Sequence, residues 1–377
     1  MSLTGWGYCH LANAKDDGRW PHCPVSISAR KVPFFSGSVS DFLKENPELE
    51  THMSNNVKIC PRCTKSCGRT LHSCNNCAFD ISSEEVQRSE NALMAFVYGI
   101  GSFPTSIRYQ DESLLVYDDL MQTTVIHLNS IPTNFYIPDF RYLFSDPLRG
   151  LSVINSLFKV AKSAAVERLS SESFRRKFFS PRAVEMMDSI GLERFVEKYA
   201  LCGFNYPPSQ CQLHLQFILP PYVPYHAVLL ADGKHSEIER FFVFEFIQGC
   251  LEQMVHLGIS IKIEDISDLS GRELIALLKS VVNTDYYHCY YKTLSRHRAN
   301  DKIFSNWTVG DFESVVVDNR LVFPVSVIEN RDVLGPPIEE KVPDLVKRDR
   351  AVISSYGKGI GLQYYTFSKQ PGDVPFW

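Results

Sequence analysis

No run in this 377-residue chain approaches the ~20 consecutive apolar residues that a helix needs to cross a bilayer, so no membrane span is expected. The opening Met1-Ser2-Leu3-Thr4-Gly5-Trp6 lacks the charged-then-apolar layout of a secretory signal. A basic excess is missing too. The net charge of −4 argues against a generally basic nucleic-acid binder and leaves only local patches for such a role. No internal repeat is present, and Gly357-Lys358-Gly359-Ile360-Gly361 lacks the spacing and strand–helix setting of a phosphate loop, so it reads as a flexible turn. The eleven cysteines are odd in number, and their main cluster lacks a disulfide-like spread. That favours a reducing compartment, cytosol or nucleus. What is there is ordinary: 44% hydrophobic and 22% charged residues, in a length that suits two domains, or three small ones, with a real core.

The cysteine cluster carries the strongest metal signal. Cys60-Pro61-Arg62-Cys63 is followed, ten residues on, by Cys74-Asn75-Asn76-Cys77. Each Cys-x-x-Cys turn presents its thiolates on one side of a tight knuckle, and facing knuckles complete a tetrahedral zinc site. Four thiolates leave no open position, so the zinc is expected to hold fold rather than perform chemistry. Cys67 and His72 lie between the knuckles as spare ligands. Cys9-His10 and His22-Cys23 raise a second metal site, against the plainer account of buried thiols and surface histidines.

Ser40-Asp41 is expected to cap a short helix in the lead-in, and Ser82-Ser83-Glu84-Glu85 reads as a capping box for a helix reaching Tyr98, stopped by Gly99 and Gly101. Strands are expected over 105–109, 113–117 and 123–131, where β-branched and aromatic residues alternate with turn formers. Asp146-Pro147 supplies an N-cap and first helical residue for a long amphipathic helix to about Leu169. Helices are also expected over 183–200, 241–257 and 273–282, the last opened by Ser270, and paired strands over 315–327. Residues 328–350 are charged and proline-punctuated, so a mobile or surface segment is expected there.

Ser209-Gln210-Cys211-Gln212-Leu213-His214-Leu215-Gln216 is the most informative stretch. At strand spacing, Gln212, His214 and Gln216 would share one surface while Leu213 and Leu215 turn to the core. A neutral imidazole flanked by amides, with a hydroxyl nearby, suits attack on a phosphate or a cradle for one. Cys211 would then point away from that surface, which argues against a thiol nucleophile.

Upstream, Asp119 precedes His127 by eight residues and His127 precedes Pro132 by five. With Gly203-Phe204-Asn205 leading into the late run, the stretch from about 95 to 225 resembles the histidine-triad (HIT) superfamily of nucleotide hydrolases and transferases. The Pro208-Ser209 lead-in is similar to that of scavenger decapping enzymes. The resemblance implies an α+β fold. A lead-in over 1–57 and a zinc ribbon over 58–80 would precede a HIT-like antiparallel sheet with helices over 81–231 and an α+β extension over 232–377. It implies that His214 attacks the α-phosphate to form a nucleotidyl-histidine and that Ser209 bonds the phosphate. It further implies that Asp119 holds the ribose hydroxyls, Leu120 packs on the base, His127 supports the nucleophile and Asn205 loosely matches a polar residue on the leaving-group side. Small members are two-fold dimers, so a homodimer is one expectation, although the C-terminal extension could replace that interface.

Where the family has flanking histidines this chain has Gln212 and Gln216. A Gln at the third triad position also occurs in nucleotide-transferring relatives; at the first it is less expected. Glutamine donates a hydrogen bond but carries no proton to a leaving group. An active nucleotidyl hydrolase or transferase and an inactive nucleotide- or RNA-end-binding module therefore both stay open. The run Tyr286-Tyr287-His288-Cys289-Tyr290-Tyr291-Lys292 with Arg296-His297-Arg298 bears on the RNA option. Its plainer account is a helix with an aromatic core face and a solvated basic end. Cys202, Cys211, Cys250 and Cys289 read as buried thiols, and His226 and His235 as surface residues.

Overall fold

The computed structural model describes residues 35, 37–62, 66–72, 74, 79–100, 106–119, 123–222 and 236–305, with the backbone of 315–317, 320–322, 352–356 and 362–368. The Cys9/His10/His22/Cys23 group, Cys63, Cys77, Leu120, His226, His235, the charged segment over 328–350 and the 357–361 turn lie outside them.

The architecture is α+β with antiparallel sheets. Helix α1 (Val39–Glu45) opens the described chain, and its cap is Ser38 rather than Ser40, because Asp41 closes a capping box on Ser38. Strands β1 (Ser54–Ile59), β2 (Ser66–Gly68) and β3 (Val86–Glu90) form a small sheet ordered β2-β1-β3. Residues 82–90 are therefore not the start of a helix. The Ser82 hydroxyl donates to the His72 carbonyl (3.3 Å) instead of capping, and Val86–Glu90 pairs along β1. Helix α2 (Ala92–Tyr98) follows, with Asn91 as its cap and Gly99 ending it in the left-handed conformation.

The main sheet takes β4 (Ile107–Gln110), β5 (Leu114–Asp118), β6 (Thr124–Pro132), β7 (Leu201–Asn205), β8 (Leu215–Tyr222) and β9 (Phe241–Val243) in the order β4-β5-β6-β8-β7-β9. Strands β4 to β6 fall within a few residues of expectation, and β8 starts one residue after His214. Between β6 and β7 the chain runs through α3 (Pro147–Ser170), α4 (Glu172–Phe178), α5 (Pro181–Ile190) and α6 (Leu192–Tyr199). Asp146 caps α3 as expected, with Pro147 in its first turn. The single helix expected over 183–200 is two, since Gly191 at φ +82° takes a conformation that side-chain-bearing residues avoid. The stretch beginning at Phe241 opens as strand β9, paired along β7, before α7 (Phe244–Leu257). Helices α8 (Gly271–Val282), boxed by Ser270 and Glu273 as expected, and α9 (Tyr286–Phe304) follow. Strands β10 (Val315–Val317), β11 (Arg320–Val322), β12 (Val352–Tyr356) and β13 (Leu362–Ser368) form a separate sheet.

Both faces of the main sheet are covered, which is why β5 and β6 are buried throughout. Leu114, Val116, Ile126 and Leu128 join Val153, Ile154 and Leu157 of α3 in the larger core. Leu115, Tyr117 and Ile131 face the other way, into a smaller core with Leu93, Met94 and Val97 of α2. By strand alternation His127 and Asn129 share that second face. At the edge of β5, Asp118 is almost wholly buried; Arg108 grips it through Nε (2.9 Å) and Nη2, and Arg168 of α3 through Nη1 (3.1 Å). Among the described residues no helix is long and apolar enough to cross a membrane.

Candidate functional site

Strands β6 and β8 are direct neighbours, with Asn129 opposite Gln216. This pairing puts the early motif and the late run on one surface. His127 and Gln216, 89 residues apart in sequence, meet through Nε2 and Oε1 at 2.6 Å. Proton positions follow from the partners. The Thr123 backbone N–H donates to His127 Nδ1 (3.2 Å), so Nδ1 accepts and Nε2 carries the proton that Gln216 Oε1 receives. The Gln216 amide nitrogen thus keeps its N–H groups for a further acceptor, and no proton is available from it for acid catalysis.

His214 sits just before β8, half-buried. Its Nδ1 is 2.8 Å from the Gln212 carbonyl, which can only accept, so Nδ1 is the protonated nitrogen and Nε2 holds the lone pair. A fixed backbone acceptor of this kind is what a nucleophilic imidazole requires. Burial holds the His214 pKa below its ordinary value, against the opposing pull of the Gln212 carbonyl and the Asp119 carboxylate. The ring is therefore neutral at pH 7.

Asp119 lies at the same place. Its backbone N–H bonds the His127 carbonyl (2.9 Å), its Oδ2 accepts from Asn129 Nδ2 (2.6 Å), and the same oxygen is 3.8 Å from His127 Nε2. The motif does not include Asn129, yet period-two spacing from His127 already puts it on this face. Its Oδ1 is buried and has no hydrogen-bond partner among the described residues. Asn205 is exposed at the end of β7, and continuing the Gly203–Gln216 register sets it level with His214. Ser209 is half-buried in the loop ahead of His214.

Gln212 departs from expectation. The alternating pattern puts it beside His214 and Gln216, but the chain turns at 210–212 and the strand begins only at Leu215. Its side chain is fully enclosed. Oε1 accepts from the Ile137 N–H (3.0 Å), and Nε2 donates to the carbonyls of Pro132 (2.6 Å) and Phe135 (2.9 Å). Every strong position on the amide is committed to backbone, so Gln212 braces the loop after β6 and has no donor left for a phosphate. Cys211 is not a competing nucleophile, since burial first, and then Asp139, push its thiol up to about 11.

In the knuckle region Cys60, Cys67 and Cys74 are all buried, and Cys67 Sγ lies 3.6 Å from Cys74 Sγ. Tetrahedral zinc with bonds of about 2.3 Å separates its sulfurs by roughly 3.8 Å, so this pair fits adjacent ligands. Among the described residues no group of three or more histidine, cysteine or acidic side chains gathers as a metal cage.

The aromatic run on α9 divides as a core-facing helix does. Tyr286 and Tyr290 are buried, Tyr287 and Tyr291 exposed, and His297 is 2% exposed against Tyr222. Comparison of the chain with family models, with curated proteins and with solved structures gives no match.

Proposed function

We propose that this chain is a HIT-like nucleotide-binding protein that transfers or hydrolyses nucleotidyl groups through His214. The observation carrying the reading is the His214 tautomer: Nδ1–H held by the Gln212 carbonyl at 2.8 Å, Nε2 unprotonated, and the ring neutral. The pairing of β6, which carries His127, with β8, which carries Gln216 and begins just after His214, supports it further. Nε2 would attack the α-phosphorus, and the bond from phosphorus to the leaving group would break with its electron pair going to that group. Water or an acceptor oxygen would then displace the histidine. Gln216 would donate to a phosphate oxygen, and Asp119 would hold the ribose hydroxyls. Because neither glutamine supplies a proton, the substrates favoured are those whose leaving group departs as an anion, such as a phosphate or a nucleoside phosphate.

The test is incubation with nucleoside phosphoramidates, dinucleoside polyphosphates and cap analogues, followed by trapping of covalent nucleotide. Wild type should yield an adduct that His214→Ala abolishes. Neither turnover nor adduct would end the enzyme reading. The missing proton donor is the one observation favouring the alternative, an inactive nucleotide- or RNA-end-binding module. Nucleotide bound against Asp119 without turnover would establish it.

We also assign structural zinc to Cys60, Cys63, Cys74 and Cys77, a reading supported by the knuckle spacing and the Cys67–Cys74 sulfur distance, which makes Cys67 a competing fourth ligand. Such a site suits the reducing environment of cytosol or nucleus. Metal analysis is expected to find one zinc per chain, with Cys60→Ser or chelation releasing it and unfolding the knuckles. A chain that holds no zinc, or one that keeps its fold after stripping, sinks the assignment.

A further inference from the structure

The loop ahead of His214 is held from outside the main sheet. Asn55, on β1, is buried, and its side chain meets that loop twice: Oδ1 accepts from the Cys211 N–H (2.7 Å), and Nδ2 reaches Gln210 Oε1 (3.4 Å). The same Nδ2 donates to the Glu90 carbonyl (3.0 Å), tying the contact into the small sheet. Asn91, also buried, donates to the Cys211 carbonyl (2.8 Å), and the Ala92 N–H donates to Gln210 Oε1 (2.8 Å). At the other end of the loop Gly68 of β2 lies flat against Pro207, where an added Cβ would come within 2.4 Å of the proline ring. One residue beyond Cys211 is Gln212, whose carbonyl selects the His214 tautomer. The Gln212 side chain anchors one side of this hinge and the small sheet the other.

We propose that Asn55 is a positioning residue for His214. By fixing the Cys211 backbone it holds the Gln212 carbonyl under Nδ1 and leaves Nε2 as the bare nitrogen. The consequence for catalysis rests on the reading of His214 as nucleophile; the effect on the tautomer does not. The small sheet thereby acts on the site through a polar contact on β1, the strand that leads into Cys60.

The experiment is nitrogen-15 NMR of the full chain with labelled histidine at pH 7.5, with His214 assigned by its loss in His214→Ala. Wild type should show His214 protonated at Nδ1 alone. Asn55→Ala should give a mixture of both tautomers while the signals of buried His297 stay in place. Asn55→Asp, which keeps the acceptor for the Cys211 N–H but loses the donor to the Glu90 carbonyl and Gln210, should move the pattern part of the way back to wild type. If Asn55→Ala does not fold, Gln210→Ala, which removes the acceptor shared by Asn55 and Ala92, should shift His214 the same way by less. An unchanged His214 tautomer in the folded variant overturns the proposal, as does a shift of His297 in step with His214. Turnover offers a separate reading: kcat falling about 10- to 100-fold at constant KM for a displaced nucleophile. Wild-type inactivity would refute the enzyme reading and leave the tautomer measurement standing.

Discussion

Asp118→Asn is expected to destabilise the chain by about 3–5 kcal/mol, the usual consequence of removing one partner from a buried ion network. Asp118 is 1% exposed, and its carboxylate takes Arg108 and the 9%-exposed side chain of Arg168 together. Two guanidinium groups grip one buried carboxylate, so an amide in its place removes the negative charge that both face. The loss falls at a joint, because Arg108 belongs to β4, Asp118 to β5 and Arg168 to the last turn of α3. For a domain of this size the melting temperature should drop on the order of 10 °C. Denaturant unfolding of Asp118→Asn beside Asp119→Asn makes the comparison sharp. Asp119 turns toward His127 and Asn129 with 17% of its side chain exposed, so its substitution should cost less stability and act mainly on the nucleotide binding proposed above. A loss under 1 kcal/mol for Asp118→Asn would show that the network contributes little.

Acid is the second strong lever. His297 is enclosed by α9 and β8, with Nε2 3.0 Å from the Tyr222 hydroxyl. Burial first, and then Arg296 and Arg298, lower its pKa to about 3. In the unfolded chain it returns to about 6.5. The folded value lies below the unfolded one, so below pH 6.5 the unfolded state takes up a proton that the native state refuses. The stabilisation is complete above about pH 6.5 and is lost as pH falls from there towards 3, at roughly 1.4 kcal/mol per pH unit. By pH 4.5 this residue alone removes about 2.7 kcal/mol. Burial lowers His214 and His52 in the same direction. Urea unfolding between pH 7.5 and 4.5 should therefore show stability falling with acidification, and His297→Gln should reduce the slope by about one proton. Identical slopes would rule His297 out as the source.

Much of the sheet was legible because its strands carry dense β-branched and aromatic runs between turn formers, and α3 because Asp146-Pro147 is an unambiguous start. What escaped has local causes. Val86–Glu90 is mostly polar and exposed, so nothing in its pattern competes with the capping-box signature ahead of it; only pairing along β1 makes it a strand. Phe241-Phe242-Val243 is apolar throughout, and a continuous apolar run does not separate strand from helix. At the site, alternation worked for Gln216 and failed for Gln212, because a turn, invisible to a period-two count, intervenes before Leu215. Asn129 was recoverable by counting two residues on from His127, whereas Asn55 was not. Its contact with Cys211 spans 156 positions and follows only from how the small sheet docks.

That long span bears on how the chain comes to be folded. The His127–Gln216 and Asn55–Cys211 contacts close loops of 89 and 156 residues. Contacts of such range form slowly, because chain closure must precede any reward from them. A nascent or half-collapsed chain has no complete site, however much of its helix is formed. Any ligand that fits there binds the finished fold alone, and by mass action it deepens that state against every precursor. The site is in this sense a proofreader of its own synthesis, complete only after Asn55 has met Cys211 and His127 has met Gln216.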